Sequence, residues 1–398
     1  MGLNIERLEL LLLVASVVAM LARRFRVPYS VGLVIAGIGL ALLPFSPRVE
    51  LTRELVFTAL LPPLIFEAAS YIRWKDLRKD LPIILVLATF GVLLSAGITA
   101  AGMHFIANWQ WHGALVFGVL IAATDPVSVI ATFKEAGVHG RVRLLVEAES
   151  LFNDGSAAVF FGIAVALALG QRLSFLEMTK TLSVTVAGGI LCGAVTAGAV
   201  LLLAGRTDDH LVEITFTTVA AYGSFLLAEH FQLSGVLATL TAGLMLGNLG
   251  SLGSFSDRGR DAVQAFWEYA AFVSNSLVFL LIGMHEVRQN FAVTGYSAIV
   301  AILFVTFGRA VAVYPCCFLF SRSALKVSIR HQHILFWGGL RGALALALAI
   351  GLPPELPQRE EIISISFAVV AFSIFIQGLT MTPLLRSVGE LPGEQGEG

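Results

Sequence analysis

The stretch IAATDPVSVIATF, residues 121–133, interrupts a long apolar run with an acid followed directly by a proline. Pro126 has no N–H for the carbonyl of Ala122, and it biases Asp125 away from helical dihedral angles. A helix broken in its middle exposes peptide groups, which is tolerated in a membrane only beside protein or a water-filled cavity. An ordinary proline kink is the alternative interpretation of this stretch.

The composition predicts an all-α, polytopic membrane protein embedded in the lipid bilayer. Of 398 residues, 57% are hydrophobic and only 13% are charged, whereas a soluble domain has about 25% charged residues. The net charge of −1 and the lack of a basic tail predict no nucleic-acid partner. Cys192, Cys316 and Cys317 lie in apolar runs without metal-ligand spacing, so we expect no disulfide and no cofactor.

The apolar runs predict thirteen membrane-spanning segments, each near the roughly 20 residues that cross a bilayer. They cover about 5–22, 28–44, 52–71, 81–103, 112–134, 146–170, 178–204, 210–231, 234–250, 265–285, 294–321, 333–352 and 361–385. Loops after odd-numbered segments hold seventeen Lys and Arg residues, against six after even-numbered segments. The positive-inside rule therefore places the N-terminus outside and the C-terminus in the cytoplasm.

A second break is predicted in segment twelve, where GLRGALALALA (339–349) surrounds Arg341 with glycines. Segments five and twelve are seven apart, so they cross the membrane in opposite directions. Two broken helices at matching places of inverted halves indicate the midplane site of a secondary transporter. The predicted plan is six helices, a linker helix and six more. Glycines that only aid helix packing are the alternative.

Five charged residues lie deep in the predicted spans, where an ionisable group is costly and indicates function. We expect Asp125 to pair with Arg341 and Glu149 with Arg309, because each pair neutralises a charge inside the membrane. Asp154 then has no cationic partner. An unpaired carboxylate in a confined site can hold a proton near neutral pH and release it when a cation arrives. A static network of all five charges is the alternative.

The predicted site offers the oxygen ligands that a hard monovalent cation requires. We expect Na⁺ at the Asp154 carboxylate, the Ser150 hydroxyl and the freed carbonyl of Thr124, with Glu149 nearby. Glu67, in LPPLIFEA (61–68), is deep in segment three. It is a candidate proton relay, or equally a hydrogen-bonded structural acid.

Four motifs together resemble the NhaP/NHE sodium–proton antiporters of the cation–proton antiporter superfamily. They are ATDPVSVIATF (123–133), ESLFND (149–154), GLRGALALALA (339–349) and LPPLIFEA (61–68), and the resemblance covers residues 5–386. It implies thirteen helices with inverted six-helix repeats, two broken crossing helices and a homodimer. An ion-translocating core of about 81–170 and 294–386 would slide against a dimerisation scaffold of about 5–71 and 178–285. No sizeable cytosolic domain is expected.

The resemblance also assigns roles to residues of this chain. Asp154 is implied to be the ion-binding carboxylate, and Asn153 gives the Asn-Asp form associated with electroneutral one-for-one exchange. Further site positions are implied for Thr124, Asp125, Glu149 and Ser150, and core arginines for Arg309 and Arg341. Animal members of the family often carry an acid where this chain has Asn275. This departure puts in doubt whether the chain is regulated as they are.

The sequence therefore predicts a transporter and not an enzyme, exchanging Na⁺ or Li⁺ for H⁺ by elevator-type alternating access in the plasma (inner) membrane. A K⁺/H⁺ antiporter on the same scaffold and an organic-anion carrier of similar fold are the alternatives. An intramembrane enzyme would need a nucleophile–base set or metal ligands at depth, and the spans show no such spacing. A channel is disfavoured because two midplane arginines oppose continuous cation flow.

Overall fold

The computed structural model of the chain describes residues 5–25, 27–43, 52–125, 129–130, 133, 137–138, 140–204, 209–249, 256–286 and 291–390. Within these ranges the backbone forms helices, turns and short irregular connections, and no strand. This confirms the predicted all-α class. Pro126, on which the predicted break in segment five was based, lies outside the described residues.

Fourteen helices have described bounds. Their bounds are α1 Ile5–Phe25, α2 Tyr29–Leu42, α3 Leu55–Tyr71, α4 Trp74–Phe105, α5 Trp111–Leu120, α6 Arg141–Ala168, α7 Phe175–Ala204, α8 His210–His230, α9 Gly235–Leu249, α10 Asp257–Glu286, α11 Phe291–Leu319, α12 Ile329–Trp337, α13 Ala343–Ile350 and α14 Arg359–Ser387. Three of them contain π-helical turns, at Leu55–Leu60 in α3, Leu87–Gly91 in α4 and Ser373–Gly378 in α14.

Seven of the described helices are long and apolar enough to cross a membrane, namely α4, α6, α7, α8, α10, α11 and α14. The helices α2, α3, α5 and α9 are apolar but shorter. The chain is therefore an integral, multi-pass membrane protein. Thirteen spans arranged as inverted repeats remain a prediction.

The helices α1–α3 and α7–α10 pack extensively on one another, with α2 lying along α10 and α9 along α3 and α7. The α2–α10 contact is close because glycines face backbone on both sides. A Cβ added at Gly37 would overlap Leu280, and one at Gly283 would overlap Val34. Small residues that let helix backbones approach are the usual way in which membrane helices associate.

A second set of contacts joins α4 with α5 and α11, α5 with α6, and α11 and α13 with α14. α6 also contacts α7 and α9 of the first set. Both interrupted segments, five and twelve, belong to this second set. The division into a core and a scaffold is still a prediction.

Candidate ion-binding site

Segment five is interrupted directly after α5. The helix ends at Leu120, residues 121–122 form a turn, and residues 123–125 are not helical. Residues 129, 130 and 133 are helical again. The described part of this segment thus has the interruption that the sequence predicted.

Segment twelve is interrupted between α12 and α13. The chain between Trp337 and Ala343 leaves the helix, and Gly342 adopts an extended conformation there. Gly342 lies against the carboxylate of Asp125, so that a Cβ would collide with that side chain. The Asp125 N–H also donates to the carbonyl of Leu340 at 2.7 Å. The two interruptions therefore cross at contact distance and share a backbone hydrogen bond.

Arg341 has partners other than the predicted one. Its Nη1 donates to the carbonyls of Ala122 at 2.6 Å and Ala123 at 3.1 Å. Among the residues that the structure describes, no ion pair joins Arg341 to Asp125, so that predicted pairing is wrong. The physical reason is the break itself, because α5 ends two residues earlier and leaves carbonyls that need a donor. Arg341 is only 2% exposed, and it satisfies them.

The predicted pair of Glu149 and Arg309 is confirmed. Arg309 Nη1 and Nη2 donate to the two carboxylate oxygens at 2.8 and 2.9 Å. Nη2 also donates to the carbonyl of Leu335 in α12 at 2.9 Å. Glu149 is 1% exposed, and such a bidentate pair is how a carboxylate is kept ionised away from water. The pair joins α6, α11 and α12.

Asp154 is buried, and no cationic side chain in the described part of the chain pairs with it. It is 7% exposed, and none of the ion pairs among the described residues includes it. Its buried Oδ1 accepts no hydrogen bond within the described part of the chain. Buried polar atoms nearly always have partners, and Asn153 Oδ1 and Arg309 Nε also lack one within the described chain. Of these three atoms, only the carboxylate oxygen belongs to a group whose negative charge a proton or a cation can neutralise.

The polar groups beside Asp154 form a separate network. Asn153 Nδ2 donates to Thr124 Oγ1 at 3.1 Å and to Glu149 Oε1 at 3.3 Å. The hydroxyls of Thr124 and Ser150 are hydrogen-bonded at 3.0 Å. This network links the end of the first break to the Glu149–Arg309 pair. Asn153 therefore connects the Glu149–Arg309 pair to Thr124 at the first break, a role that its sequence position alone did not suggest.

A cavity of about 1180 Å³ reaches from the two breaks to the ends of the first and last helices. Asp154, Thr124 and Asp125 line its inner end. Arg23 and Arg386 line it at the far ends of α1 and α14. The other predicted site residues, Ser150, Asn153 and Glu149, are buried but are not among the described residues that line it.

Glu67 lines the same cavity as Asp154, which is compatible with the predicted relay but does not test it. Sequence reasoning missed a second acid, Glu268 of α10, and the cavity wall that Ala271, Phe272 and Asn275 form with it. Their spacing of three, four and seven residues is that of one helix face. That spacing was the available signal.

The sequence also gave no sign of the contact between Ser156 and the π-helical turn of α4. Ser156 Oγ donates to the carbonyl of Ala88, which lies in the turn Leu87–Gly91. A π-helical turn displaces carbonyls from the regular ladder, and such turns are frequent at functional sites. Ser156 follows Asp154 by two residues, so this contact fixes α6 next to the orphaned carboxylate.

Known proteins resemble this chain in sequence and in fold. A family model for the transmembrane sodium/hydrogen exchanger matches residues 11–387. The Na(+)/H(+) antiporter ApNhaP of Aphanothece halophytica is 39% identical over 393 residues, covering 96% of this chain and 75% of that protein. The Na(+)/H(+) antiporter NhaH of Halobacillus aidingensis is 33% identical over 399 residues, covering 96% of each. The structure of the sodium proton antiporter MjNhaP1 from Methanocaldococcus jannaschii matches with a TM-score of 0.76 at 20% identity, covering 97% of this chain and 98% of that one.

Proposed function

Because the chain belongs to the sodium/hydrogen exchanger family, as its motifs predicted, we propose that it exchanges Na⁺ for H⁺ across a membrane. The observation that carries this proposal is the orphaned Oδ1 of Asp154 at the inner end of a cavity between two broken segments. A single carboxylate that holds either a proton or a cation is sufficient to couple the two fluxes. The relatives named above are Na(+)/H(+) antiporters by name.

Oxygen atoms at the two breaks supply the proposed binding site for the transported Na⁺. Asp154 provides the charge, and Thr124, which lines the cavity beside it, offers its carbonyl. Ser150 and Asn153 hold the Thr124 hydroxyl in place. Their role is orientation, whereas the sequence predicted the Ser150 hydroxyl as a direct ligand. Water in the cavity completes the oxygen shell that a hard cation prefers.

The two fluxes are coupled because the protein with an empty, charged site crosses the membrane unfavourably. A carboxylate with neither proton nor cation carries an uncompensated charge, which is expensive inside a membrane. Only the protonated or the sodium-loaded form then crosses. One carboxylate and one cation give electroneutral 1:1 exchange. Arg309 and Arg341 take no part in this exchange, because each is engaged by Glu149 or by backbone carbonyls.

We further propose that the set of α4–α6 and α11–α14 moves as an elevator against the remaining helices, which form a homodimer. This corresponds to a core of about 81–170 and 294–386 and a scaffold of about 5–71 and 178–285. The cavity reaches Arg23 and Arg386, and basic residues mark the cytoplasmic face. The structure then represents an inward-open state in the plasma membrane, with the N-terminus outside and the C-terminus in the cytoplasm.

A K⁺/H⁺ antiporter would use the same site, and the names of the relatives favour Na⁺ over it. An organic-anion carrier is disfavoured by charge, because the cavity's inner end presents the carboxylates of Asp125 and Asp154.

The proposal is tested with purified protein in liposomes that contain a pH-sensitive dye. Sodium added outside is expected to drive proton movement, lithium to do so as well, and potassium to do so weakly or not at all. Asp154→Asn, which keeps the size of the side chain and removes its charge, is expected to abolish the signal. Glu360→Gln changes an exposed acid at the start of α14 and is the matched control. Sodium-dependent proton movement in Asp154→Asn would refute the assignment, and equal responses to potassium would favour the alternative.

A further inference from the structure

Asp80 is a buried acid for which the proposed exchange has no use. It lies in α4 and is 6% exposed. Arg141, the first residue of α6, donates through Nε to both carboxylate oxygens at 3.0 and 3.1 Å and through Nη2 to Oδ1 at 2.7 Å. A buried carboxylate is usually paired and hydrogen-bonded, as Asp80 is here. The pair therefore fixes the start of α6 to α4.

The same guanidinium also binds the chain that leads into the second broken segment. Arg141 Nη1 donates to the carbonyl of Lys326 at 2.8 Å, and Nη2 donates to the carbonyl of Leu325 at 2.9 Å. Both carbonyls belong to the connection between α11 and α12. One side chain thus joins α4, α6 and the entry to α12. A planar guanidinium suits this task because its five donors point outward in a fixed fork.

This arrangement repeats the one at the centre of the site. There, Arg309 binds the carboxylate of Glu149 and the carbonyl of Leu335 in α12. Each guanidinium thus ties α6 both to a neighbouring helix and to the chain around α12. Arg141 and Glu149 are eight residues apart in α6, a distance of about 12 Å along a helix. Attachment at two separated points fixes both the axial position and the tilt of α6.

We propose that Asp80 and Arg141 are positioning residues for the ion site. They hold α6, and with it Asp154, in register with the second break, so that the carboxylate meets the oxygens of the first break at the right distance. The Glu149–Arg309 pair provides the inner attachment, and the Asp80–Arg141 pair, with the Leu325 and Lys326 carbonyls, provides the outer one. This inference rests on the proposed Na⁺/H⁺ exchange.

The kinetic test compares Arg141→Gln and Asp80→Asn with Arg143→Gln. Arg143 is two residues away and pairs with Glu147 of the same helix at 2.7 Å. It joins no two helices within the described chain and is the matched control. In liposomes, both outer-attachment variants are expected to raise the apparent KM for Na⁺ about tenfold, as loss of groups that orient ion ligands does. Arg143→Gln is expected to keep the wild-type KM. Arg141→Lys keeps the charge but loses the forked donor geometry of the guanidinium. Its KM for Na⁺ should lie between those of the wild type and Arg141→Gln.

A folded Arg141→Gln protein whose KM for Na⁺ stays within about twofold of wild type would overturn the positioning role, because a merely stabilising pair lowers yield without changing KM. If Arg141→Gln does not fold, Arg141→Lys and Asp80→Asn are judged by the same criterion.

Hydrogen exchange measured by mass spectrometry tests the attachment without transport. The N–H groups of Leu325 and Lys326 are bonded within their own turn, to Ser323. Release of this turn from Arg141 should speed their exchange several-fold in Arg141→Gln and leave it unchanged in Arg143→Gln. Unchanged exchange in Arg141→Gln would overturn the attachment. Wild-type protein that moves no protons with sodium would instead refute the proposed function, which distinguishes the two failures.

Discussion

At the scale of single residues, the buried charged groups of the described chain differ in whether an opposite charge or a carbonyl oxygen neutralises or accepts from them. Glu149, Arg309 and Arg341 are buried and each has partners within the described chain. Asp154 is equally buried, yet its Oδ1 has none. We assign their proposed roles from this difference. A paired charge supports the fold, whereas an unpaired carboxylate can hold either a proton or a cation. Asn153 links both kinds of group through Thr124 and Glu149.

Removal of Glu149's charge should therefore cost stability more than it alters chemistry. Glu149→Gln leaves Arg309 buried and uncompensated, and breaking a buried pair in this way costs about 3–5 kcal/mol. We expect a large drop in melting temperature and in yield of monodisperse protein. Glu147→Gln is the control, because its pair with Arg143 lies within one helix. Size-exclusion chromatography and a thermal melt in detergent measure both. Equal melting temperatures for the two variants would show that the buried pair does not support the fold.

At the scale of elements, the two breaks depend on each other. The carbonyls that α5 leaves at Ala122 and Ala123 are satisfied by Arg341 from the second break. The Asp125 N–H from the first break is satisfied by Leu340 of the second. Neither interruption could persist in hydrocarbon alone, since exposed peptide groups must find partners there. The two broken segments are thus one structural unit.

Gly342→Ala should disrupt this unit, because the added Cβ would occupy the place of the Asp125 carboxylate. We expect loss of sodium-driven proton movement together with a lower melting temperature. Gly162→Ala is the control, since a Cβ at that helical position of α6 meets no atom of the described residues within 4 Å. Alanine there should be neutral or add up to about 1 kcal/mol through helix propensity. A Gly342→Ala protein with normal transport would show that the close crossing of the breaks is not required.

Much of this unit was predictable from the sequence because its signals are local. The glycines around Arg341 and the Glu149 and Asp154 positions in an apolar run pointed to the right segments. The partner of Arg341 was not predictable, since it depends on which carbonyls α5 releases at its end. The Asp80–Arg141 contact was missed for the same reason, whereas the Glu268 face was overlooked although its helical spacing was a signal. Contacts between distant segments carry no periodicity that a single sequence can display.

At the scale of the whole molecule, the cavity connects one end of the helix assembly to Asp154. In the proposed exchange, hydrogen ions and sodium reach this carboxylate by the same route and compete for it. Competition makes the apparent affinity for Na⁺ fall as the pH falls, by up to about tenfold per pH unit where the site is mostly protonated. The rate at saturating sodium should change less.

Proton release on sodium binding tests this competition most directly. Purified protein in weakly buffered detergent solution, held at a pH where the site is protonated, is titrated with NaCl and, as an ionic-strength control, with choline chloride. We expect sodium alone to release up to one proton per chain, and Asp154→Asn to release none. Sodium binding without proton release, or undiminished release from Asp154→Asn, would contradict the account.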